Sequence, residues 1–388
     1  MKHLPVGLVI VLLCDLAQAA AYIPMTDREV LERLPISVHR VARELRDLRL
    51  RVQQEPKQVE YATDLARRYL EIGRAEADPR YAGYAEAVLQ PWWDLAEAPA
   101  EVGVLRAAVR QHRHEFSAAL KDLDRVLAKD PRNGQAWLMR STILTVIGRY
   151  PKARQSCLAL LRLADALVVT ACLGAVESLT GRARASYAAL DGAIQFAPEA
   201  DPATRLWALT LLGELAARLG EFAQAERHFL EAMGLGRRDV YLLSAYADFL
   251  LDQGRYTEVA RLLRAETRVD GLLLRVALAE HALGLDTAER VTNLKARFEA
   301  GRVRGPSLHP GEEARFTLVL LEEPRRAVQL ARANWSLQRE PRDARILLEA
   351  ARAANDARAA GPVLKILARA GTEDVVLRRL VASFSAVE

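Results

Sequence analysis

The histidines, glycines and short motifs that could carry chemistry in this chain do not form a catalytic or metal-binding set. His112 and His114 are two residues apart, so on a helix their side chains point about 200° away from each other and cannot hold one metal ion. Gly234-Leu235-Gly236 has the glycine spacing of part of a dinucleotide loop, but it follows helix-forming sequence instead of a strand. The sequence contains no GxSxG, P-loop, HExxH or CxxC motif. We therefore predict no catalytic residues, no metal site and no cofactor.

The cysteines leave two interpretations open. Cys14 follows the N-terminal apolar run, and Leu13 stands where a small residue precedes a lipidated cysteine, so the sequence disfavours lipidation. Cys157 and Cys172 fall on successive predicted helices, and packed neighbouring helices can bring two Cα atoms within the roughly 4.4–6.8 Å that a disulfide spans. They are a possible disulfide in an oxidising compartment, or two small buried apolar residues.

The N-terminus has the pattern of a secretory signal. Met1-Lys2-His3 is basic, residues 4–13 are apolar, and an A-x-A site ends at Ala19. The apolar run is shorter than the roughly 20 residues that span a bilayer, and no later segment is longer and equally apolar. We expect residues 1–19 to be removed and the mature protein to be exported, in a bacterial periplasm, with no transmembrane segment.

Composition indicates a soluble, helix-rich protein without a nucleic-acid partner. The 388 residues are 51% hydrophobic and 27% charged, which is ordinary for a globular chain. The net charge of +5 comes from 55 basic and 50 acidic residues that alternate along the chain, as expected for solvated helix faces. The signal sequence and the lack of a basic, aromatic-rich patch argue against nucleic-acid binding.

Five glycine-led tripeptides recur at a nearly constant interval. Their glycines are 33, 39, 34 and 30 residues apart, and helix-forming sequence flanks each one. A recurrence near 34 residues predicts a helical repeat array in which each glycine makes a turn with positive φ. The tripeptides are Gly148-Arg149-Tyr150, Gly181-Arg182-Ala183, Gly220-Glu221-Phe222, Gly254-Arg255-Tyr256 and Gly284-Leu285-Asp286.

The residue pattern within the units resembles the tetratricopeptide repeat (TPR) family. The unit at 206–237 carries the family's small and aromatic positions: Leu212-Gly213, Gly220, Phe222, Ala225, Phe229 and Ala232. The resemblance implies an all-α fold, a right-handed α-solenoid of stacked helix-turn-helix repeats. The sequence is similar to exported bacterial TPR proteins of undefined role. This similarity implies that the protein is a non-catalytic scaffold.

The units predict four segments. Residues 1–19 are the signal peptide, residues 20–56 a lead-in and capping helix, residues 57–340 the solenoid of about eight units (strongest over 100–266), and residues 341–388 a helical cap. Three local expectations concern helix ends: Pro91-Trp92-Trp93 ends a helix, residues 301–306 form a basic loop, and Gly361-Pro362 breaks the last helical pair.

The resemblance also implies where a partner binds. In TPR proteins the first helix of each unit lines a concave groove, and the matching positions here recur every three or four residues. They are Trp207, Thr210, Glu214, Tyr241, Ser244, Asp248 and Asp252. Aromatic and acidic groups together suit a protein or peptide with apolar and basic side chains. The alternative at this point is that these are ordinary helix-surface residues.

Two other functions stay open at the level of sequence. The first is binding of an acidic envelope polymer through an arginine-rich surface formed by Arg302, Arg304, Arg325 and Arg326. The second is an accessory subunit of an envelope enzyme or metal-uptake system. Neither the partner nor the oligomeric state follows from the sequence.

Overall fold

The computed structural model describes residues 36–304 and 310–385 of the chain. The predicted signal peptide and Cys14 lie outside these residues. The chain divides into two units, residues 1–47 and residues 48–388. The described part of the first unit is helical and begins helix α1 (Ile36–Gln54). The remaining helices all belong to the second unit.

The second unit consists of helices joined by short turns, and the described residues contain no strand. The first half comprises α2 (Val59–Glu76), α3 (Arg80–Trp93), α4 (Ala100–His112), α5 (Phe116–Lys129), α6 (Gly134–Val146), α7 (Tyr150–Ala159), α8 (Ala166–Glu177), α9 (Ala183–Gln195), α10 (Pro202–Leu219) and α11 (Phe222–Gly234). The second half comprises α12 (Val240–Asp252), α13 (Tyr256–Leu262), α14 (Asp270–Ala282), α15 (Ala288–Arg304), α16 (Pro310–Val319), α17 (Pro324–Leu337), α18 (Pro341–Ala353), α19 (Ala357–Ala370) and α20 (Val375–Ser385).

The helices pair into hairpins that stack in chain order. In each pair the even-numbered helix contacts the odd-numbered helix that follows it, from α2 with α3 to α18 with α19. The even-numbered helices also contact one another in succession from α2 to α18, and α18 contacts α20. This is the all-α solenoid predicted from the repeat, and the even-numbered helices are the ones that line one common face.

Glycine makes the turn inside five of these hairpins. The φ angles of Gly148, Gly181, Gly220, Gly254 and Gly284 are 74°, 77°, 83°, 69° and 70°. Residues with a Cβ rarely adopt this left-handed conformation. The prediction of positive-φ turns at all five tripeptides is confirmed.

A second glycine explains how closely α10 and α11 pack. A Cβ placed on Gly213 would lie 2.7 Å from the Phe229 ring, which is nearer than real Cβ atoms approach other atoms. Phe229 is itself 1% exposed, in a core cluster that runs from Leu167 to Ala279. The small residue on the first helix therefore makes room for the large residue on the second, as the repeat pattern predicts.

Helix α3 ends at Trp93, as predicted from Pro91-Trp92-Trp93, with Pro91 inside its last turn. The structure corrects two other predicted helix ends. Helix α15 continues to Arg304, four residues into the predicted basic loop, and its Arg302 bonds the buried Glu313 of α16. Helix α19 continues through the predicted break at Gly361-Pro362, and its residues Ala359, Ala360 and Val363 are buried. In both cases tertiary contacts outweigh the local preference of Pro or Gly.

A disulfide joins two successive hairpins. Cys157 on α7 and Cys172 on α8 are bonded, with their Cα atoms 5.6 Å apart. Both residues are buried in the core cluster of the first hairpins, next to the hydroxyl of Ser141. The covalent link fixes the α6–α7 hairpin to the next one along the array.

Candidate partner-binding groove

Helices α10 and α12 bring most of the predicted groove residues to one place. Five of the seven line a single cavity of about 260 Å³: Glu214, Tyr241, Ser244, Asp248 and Asp252. Glu214 and Tyr241 come from successive first helices, and the Tyr241 hydroxyl donates a hydrogen bond of 2.9 Å to the Glu214 carboxylate. The three- and four-residue spacing therefore identified side chains that share a face across two repeats.

The other two predicted residues have structural roles here. The Thr210 side chain is 2% exposed, and its hydroxyl donates to the Leu206 carbonyl oxygen at 2.7 Å within α10. Trp207 is half-buried and packs against two neighbouring core clusters. Both positions stabilise the stacking of α10 and present little surface to a partner.

The opposite wall of the cavity comes from the C-terminal end of the same chain. We call residues 310–385, which comprise α16–α20, the closing segment. Its side chains face those of α10, α12 and α14 across the cavity. The closing-segment residues in this wall are Gly311, Glu312, Arg315, Asn334, Gln338, Glu340, Pro341, Arg342, Asp343, Arg345, Ile346, Glu349, Asp374, Val376 and Leu377. The face predicted to hold a partner thus lies across the cavity from the chain's own C-terminal helices, and Tyr241 on it remains 47% exposed.

Arginines of the closing segment bind the acids of α12. Arg345 of α18 donates to Asp252 at 2.7 Å, and Arg315 of α16 donates to Asp248 at 2.6 Å. These pairs are separated by 93 and 67 residues in the chain. The predicted complementarity between groove acids and basic side chains is therefore used within the molecule.

One buried arginine connects three successive first helices. Arg275 of α14 is 2% exposed and donates to Asp248 at 2.6 Å and to Glu312 at 3.1 Å. It also donates to two backbone carbonyl oxygens, those of Gly271 and Ser244. All of its bonds point inward, so the guanidinium group is fully engaged in holding α12, α14 and α16 together.

The charged groups of this network and their burial shift the pKa values of its carboxyl groups. Burial disfavours the ionised form of Asp248, but Arg275 and Arg315 outweigh it and hold the Asp248 pKa well below its ordinary value. Arg275 likewise outweighs burial at Glu312, whose pKa is lowered. Burial raises the pKa of the Glu214 carboxyl, because the nearby Arg218 and the Tyr241 hydroxyl offset it only in part. Burial and the neighbouring Glu340 raise the pKa of Asp343 to about 6.

Acid should weaken the folded structure through Asp248. The pKa of Asp248 in the folded state lies below the ordinary value of 3.8. Its contribution to the free energy of unfolding is therefore fully present above pH 3.8 and is lost as the pH falls from there through the folded-state pKa. Asp343 takes up its proton at higher pH, outside this range. We expect the free energy of unfolding, measured by denaturant titration, to fall below about pH 4.

The matched variant for this prediction is Asp248→Asn, which cannot titrate at that position. Its stability should be lower than that of the parent at neutral pH and should change less below about pH 4. If the acid profiles of the two proteins have the same slope, Asp248 does not carry the effect.

Three hairpin turns of the array also contact the closing segment. Arg339 lies against Gly148, the carbonyl oxygen of Gly371 lies 2.9 Å from the place of a Gly181 Cβ, and Val375 lies against Gly220. The backbone N–H of Arg339 donates to the Val146 carbonyl oxygen at 2.7 Å. These glycines therefore allow a close approach in addition to making turns.

Other kinds of site are not found among the described residues. None of the described helices is both long and apolar enough to cross a bilayer. Within residues 36–304 and 310–385, no three His, Cys, Asp or Glu side chains are grouped so that they could hold a metal ion.

Stacked hairpins with glycine turns and small-against-aromatic packing are the features by which a TPR array is recognised. The chain resembles the tetratricopeptide repeat proteins. No family model matches the sequence, and no curated protein matches it.

Solved structures that match the chain include TPR proteins. A TPR protein from Parabacteroides merdae has 15% identity and a TM-score of 0.31, covering 75% of this chain and 98% of that one. Yeast Tom70 has 12% identity and a TM-score of 0.34, covering 90% and 92%. The TPR domain of P58(IPK) has 18% identity and a TM-score of 0.25, covering 85% and 98%. At these scores the fold assignment rests on this chain's own helices.

Proposed function

We propose that the protein is an exported, non-catalytic TPR-like scaffold that binds a protein or peptide partner on the face formed by α10 and α12. The observation that carries the proposal is the group of acidic and aromatic side chains on this face, Glu214, Tyr241, Asp248 and Asp252. Two of them, Asp248 and Asp252, already bind arginine side chains. A preformed face of this kind limits the entropy that a partner loses on binding. Export rests on the N-terminal sequence.

The test is chemical crosslinking of the protein in intact cells, followed by mass spectrometry of the captured partners. The groove variant is Tyr241→Glu, which adds a fourth acid to this face, next to Glu214. The matched control is Tyr84→Glu on α3, because Tyr84 is 46% exposed and Tyr241 is 47% exposed. We expect the partners of the parent to be retained by the control and reduced at least tenfold in the groove variant.

The contrary result is equally clear. Partners that are captured equally by the parent and by Tyr241→Glu bind elsewhere on the array, and the groove is then not the binding site. Circular dichroism of both variants should show the helix content of the parent, since a loss of fold would also reduce capture.

A second candidate function has one observation in its favour. An open depression of about 510 Å³ beside α17 is lined by Arg325, Gln329 and Arg332, and both arginines are exposed. Such a surface suits an acidic envelope polymer. Arg302 and Arg326 contribute less positive charge to this surface, because both contact the buried Glu313. Binding that weakens steeply with salt and with Arg325→Glu would favour this function.

The remaining alternative is an accessory subunit of an envelope enzyme or metal-uptake system. The crosslinking experiment also tests it, because the captured partner would then be such an enzyme or transporter and activity would depend on adding this protein.

A further inference from the structure

The two last described helices carry exposed charge of a single sign. Their exposed charged side chains are those of Arg358, Lys365 and Arg369 on α19 and of Arg378 and Arg379 on α20. Neither helix contains a carboxylate side chain, and none of these cations forms an ion pair or a side-chain hydrogen bond with another described residue. Acidic and basic residues alternate over most of the chain. The C-terminal end of the array therefore differs from the rest in its surface charge.

The carboxylates beside these helices bind backbone groups. Asp356 precedes α19 and accepts a hydrogen bond from the Ala359 backbone N–H at 3.1 Å. Asp374 precedes α20 and accepts one from the Val376 backbone N–H at 2.9 Å. Glu373 accepts one at 3.0 Å from a backbone N–H of α9. These acids cap or join helices instead of pairing with the nearby cations, so the outer surface keeps its positive charge.

The cations of α19 lie along one line of the helix. Arg358, Lys365 and Arg369 are seven and four residues apart, so at about 100° per residue they fall on one narrow strip. The residues that α19 buries, which include Ala360 and Val363, lie on the opposite side of the helix. Packing against α18 thus holds the strip on the outer side of the array.

Apolar side chains border this strip. Leu364 and Ile366 flank Lys365 in the sequence, are half-buried, and pack in part against the core cluster of the closing segment. Val381 is also half-buried and lies three residues from Arg378, on a neighbouring part of the α20 surface. Cations beside partly accessible apolar groups are typical of helices that lie on an anionic membrane surface. A soluble polyanion would use the cations alone.

We infer that the outer surface of α19 and α20 is a docking site for an anionic phospholipid membrane. Its charge is complementary to phosphate headgroups, and its cations have no competing partner among the described residues. Guanidinium groups bind phosphate oxygens through pairs of charge-assisted hydrogen bonds. The bordering apolar side chains are already half-buried in the protein, so contact with the acyl region is shallow and the protein rests on the membrane surface.

This surface and the proposed groove can be used at the same time. No residue of α19 is among those that line the groove cavity. Helix α19 is the second helix of its hairpin, whereas first helices line the groove. A protein held at a membrane through α19 and α20 would still present Glu214 and Tyr241 to a partner. The inference thus adds a location to the proposed scaffold and does not depend on it.

The first test is sedimentation of the exported chain, residues 20–388, with phospholipid vesicles. Residues 1–19 are left out because their apolar run would bind lipid by itself. Vesicles of equimolar phosphatidylglycerol and phosphatidylcholine should bind the protein, and vesicles of phosphatidylcholine alone should not. Each cation at an anionic surface strengthens binding by about fivefold, so Lys365→Glu with Arg369→Glu should weaken it by about twentyfold or more. Added salt should also weaken binding of the parent.

The matched control reverses two cations elsewhere on the array. Arg162 and Arg264 follow α7 and α13, are exposed, and form no ion pair with another described residue. Arg162→Glu with Arg264→Glu changes the net charge as much as the test variant does, and should keep most of the vesicle binding. Circular dichroism should show the same helix content in all three proteins. Equal loss of binding in the two double variants would show that binding follows net charge, and would overturn the inference.

A second measurement separates a membrane from a soluble polyanion. Cys157 and Cys172 are bonded to each other, so a cysteine placed at the exposed Ala368 of α19 can be labelled with a polarity-sensitive fluorophore. Its emission should shift to the blue when the phosphatidylglycerol vesicles are added, and the same label at the exposed Ala296 of α15 should not respond. Soluble polyglutamate that binds as tightly as the vesicles, with no blue shift from either, would assign the surface to an acidic polymer and contradict membrane docking.

The two proposals can fail separately. Vesicle binding through α19 and α20, with no partner captured by crosslinking in cells, contradicts the scaffold function alone. Captured partners that depend on the groove, with no binding to anionic vesicles, contradict the membrane site alone.

Discussion

Replacing Arg275 with alanine should lower the free energy of unfolding by about 3–5 kcal/mol. The guanidinium group is buried and compensates two carboxylates, those of Asp248 and Glu312. Without it, the acids lose the charge that keeps the pKa of each low, and two backbone carbonyl oxygens lose their donor. Removing one member of a buried ion pair is costly because the other stays buried without compensation.

The measurement should resolve parts of the array as well as the whole. Repeat proteins can unfold in pieces, so denaturant unfolding is best combined with hydrogen exchange of individual helices. We expect faster exchange first in α12, α14 and α16, the three helices that Arg275 connects.

Arg315→Ala is the matched control for Arg275→Ala. Arg315 binds the same carboxylate of Asp248, but its side chain is 21% exposed, against 3% for Arg275. The loss should be about 1 kcal/mol or less, because water can replace the partner. Equal effects of the two variants would show that burial does not set the strength of this network.

The sequence predicted the hairpins because their determinants are local. A positive φ at Gly220 and the close approach of Gly213 to Phe229 each depend on residues within one repeat. The 34-residue recurrence repeats these determinants, so their agreement across units identified the fold. The helix break at Pro362 was predicted wrongly because burial of Ala359, Ala360 and Val363 against other helices decided it.

One wall of the site could also be predicted, and the other could not. Helical spacing shows which side chains of α12 share a face, but it does not show what meets that face. The answer depends on contacts between residues 67 and 93 positions apart. A signal was present in Arg339, Arg342 and Arg345, which recur every three residues, but interleaved charge of this kind is also typical of solvated helices.

Replacing both Cys157 and Cys172 with alanine should lower the free energy of unfolding by about 3 kcal/mol. The bond closes a loop of sequence separation 15, and for a loop of that size the constraint on the unfolded chain is worth about that much. The alternative interpretation of the sequence, two small buried residues, predicts a smaller loss from the missing sulfur atoms alone. Mass spectrometry after thiol labelling of the unfolded, non-reduced protein measures the bond directly.

A reducing agent provides the control for this prediction. Reductant should destabilise the parent by about the same 3 kcal/mol and leave the double alanine variant unchanged, since that variant has no bond to reduce. The effect should be largest in α6–α9, the two hairpins that the bond connects. It should be small in the closing segment, whose core lies elsewhere in the chain. If reductant does not change the free energy of unfolding of the parent, the two cysteines are not bonded. An oxidising compartment would then not contribute to the stability of these repeats.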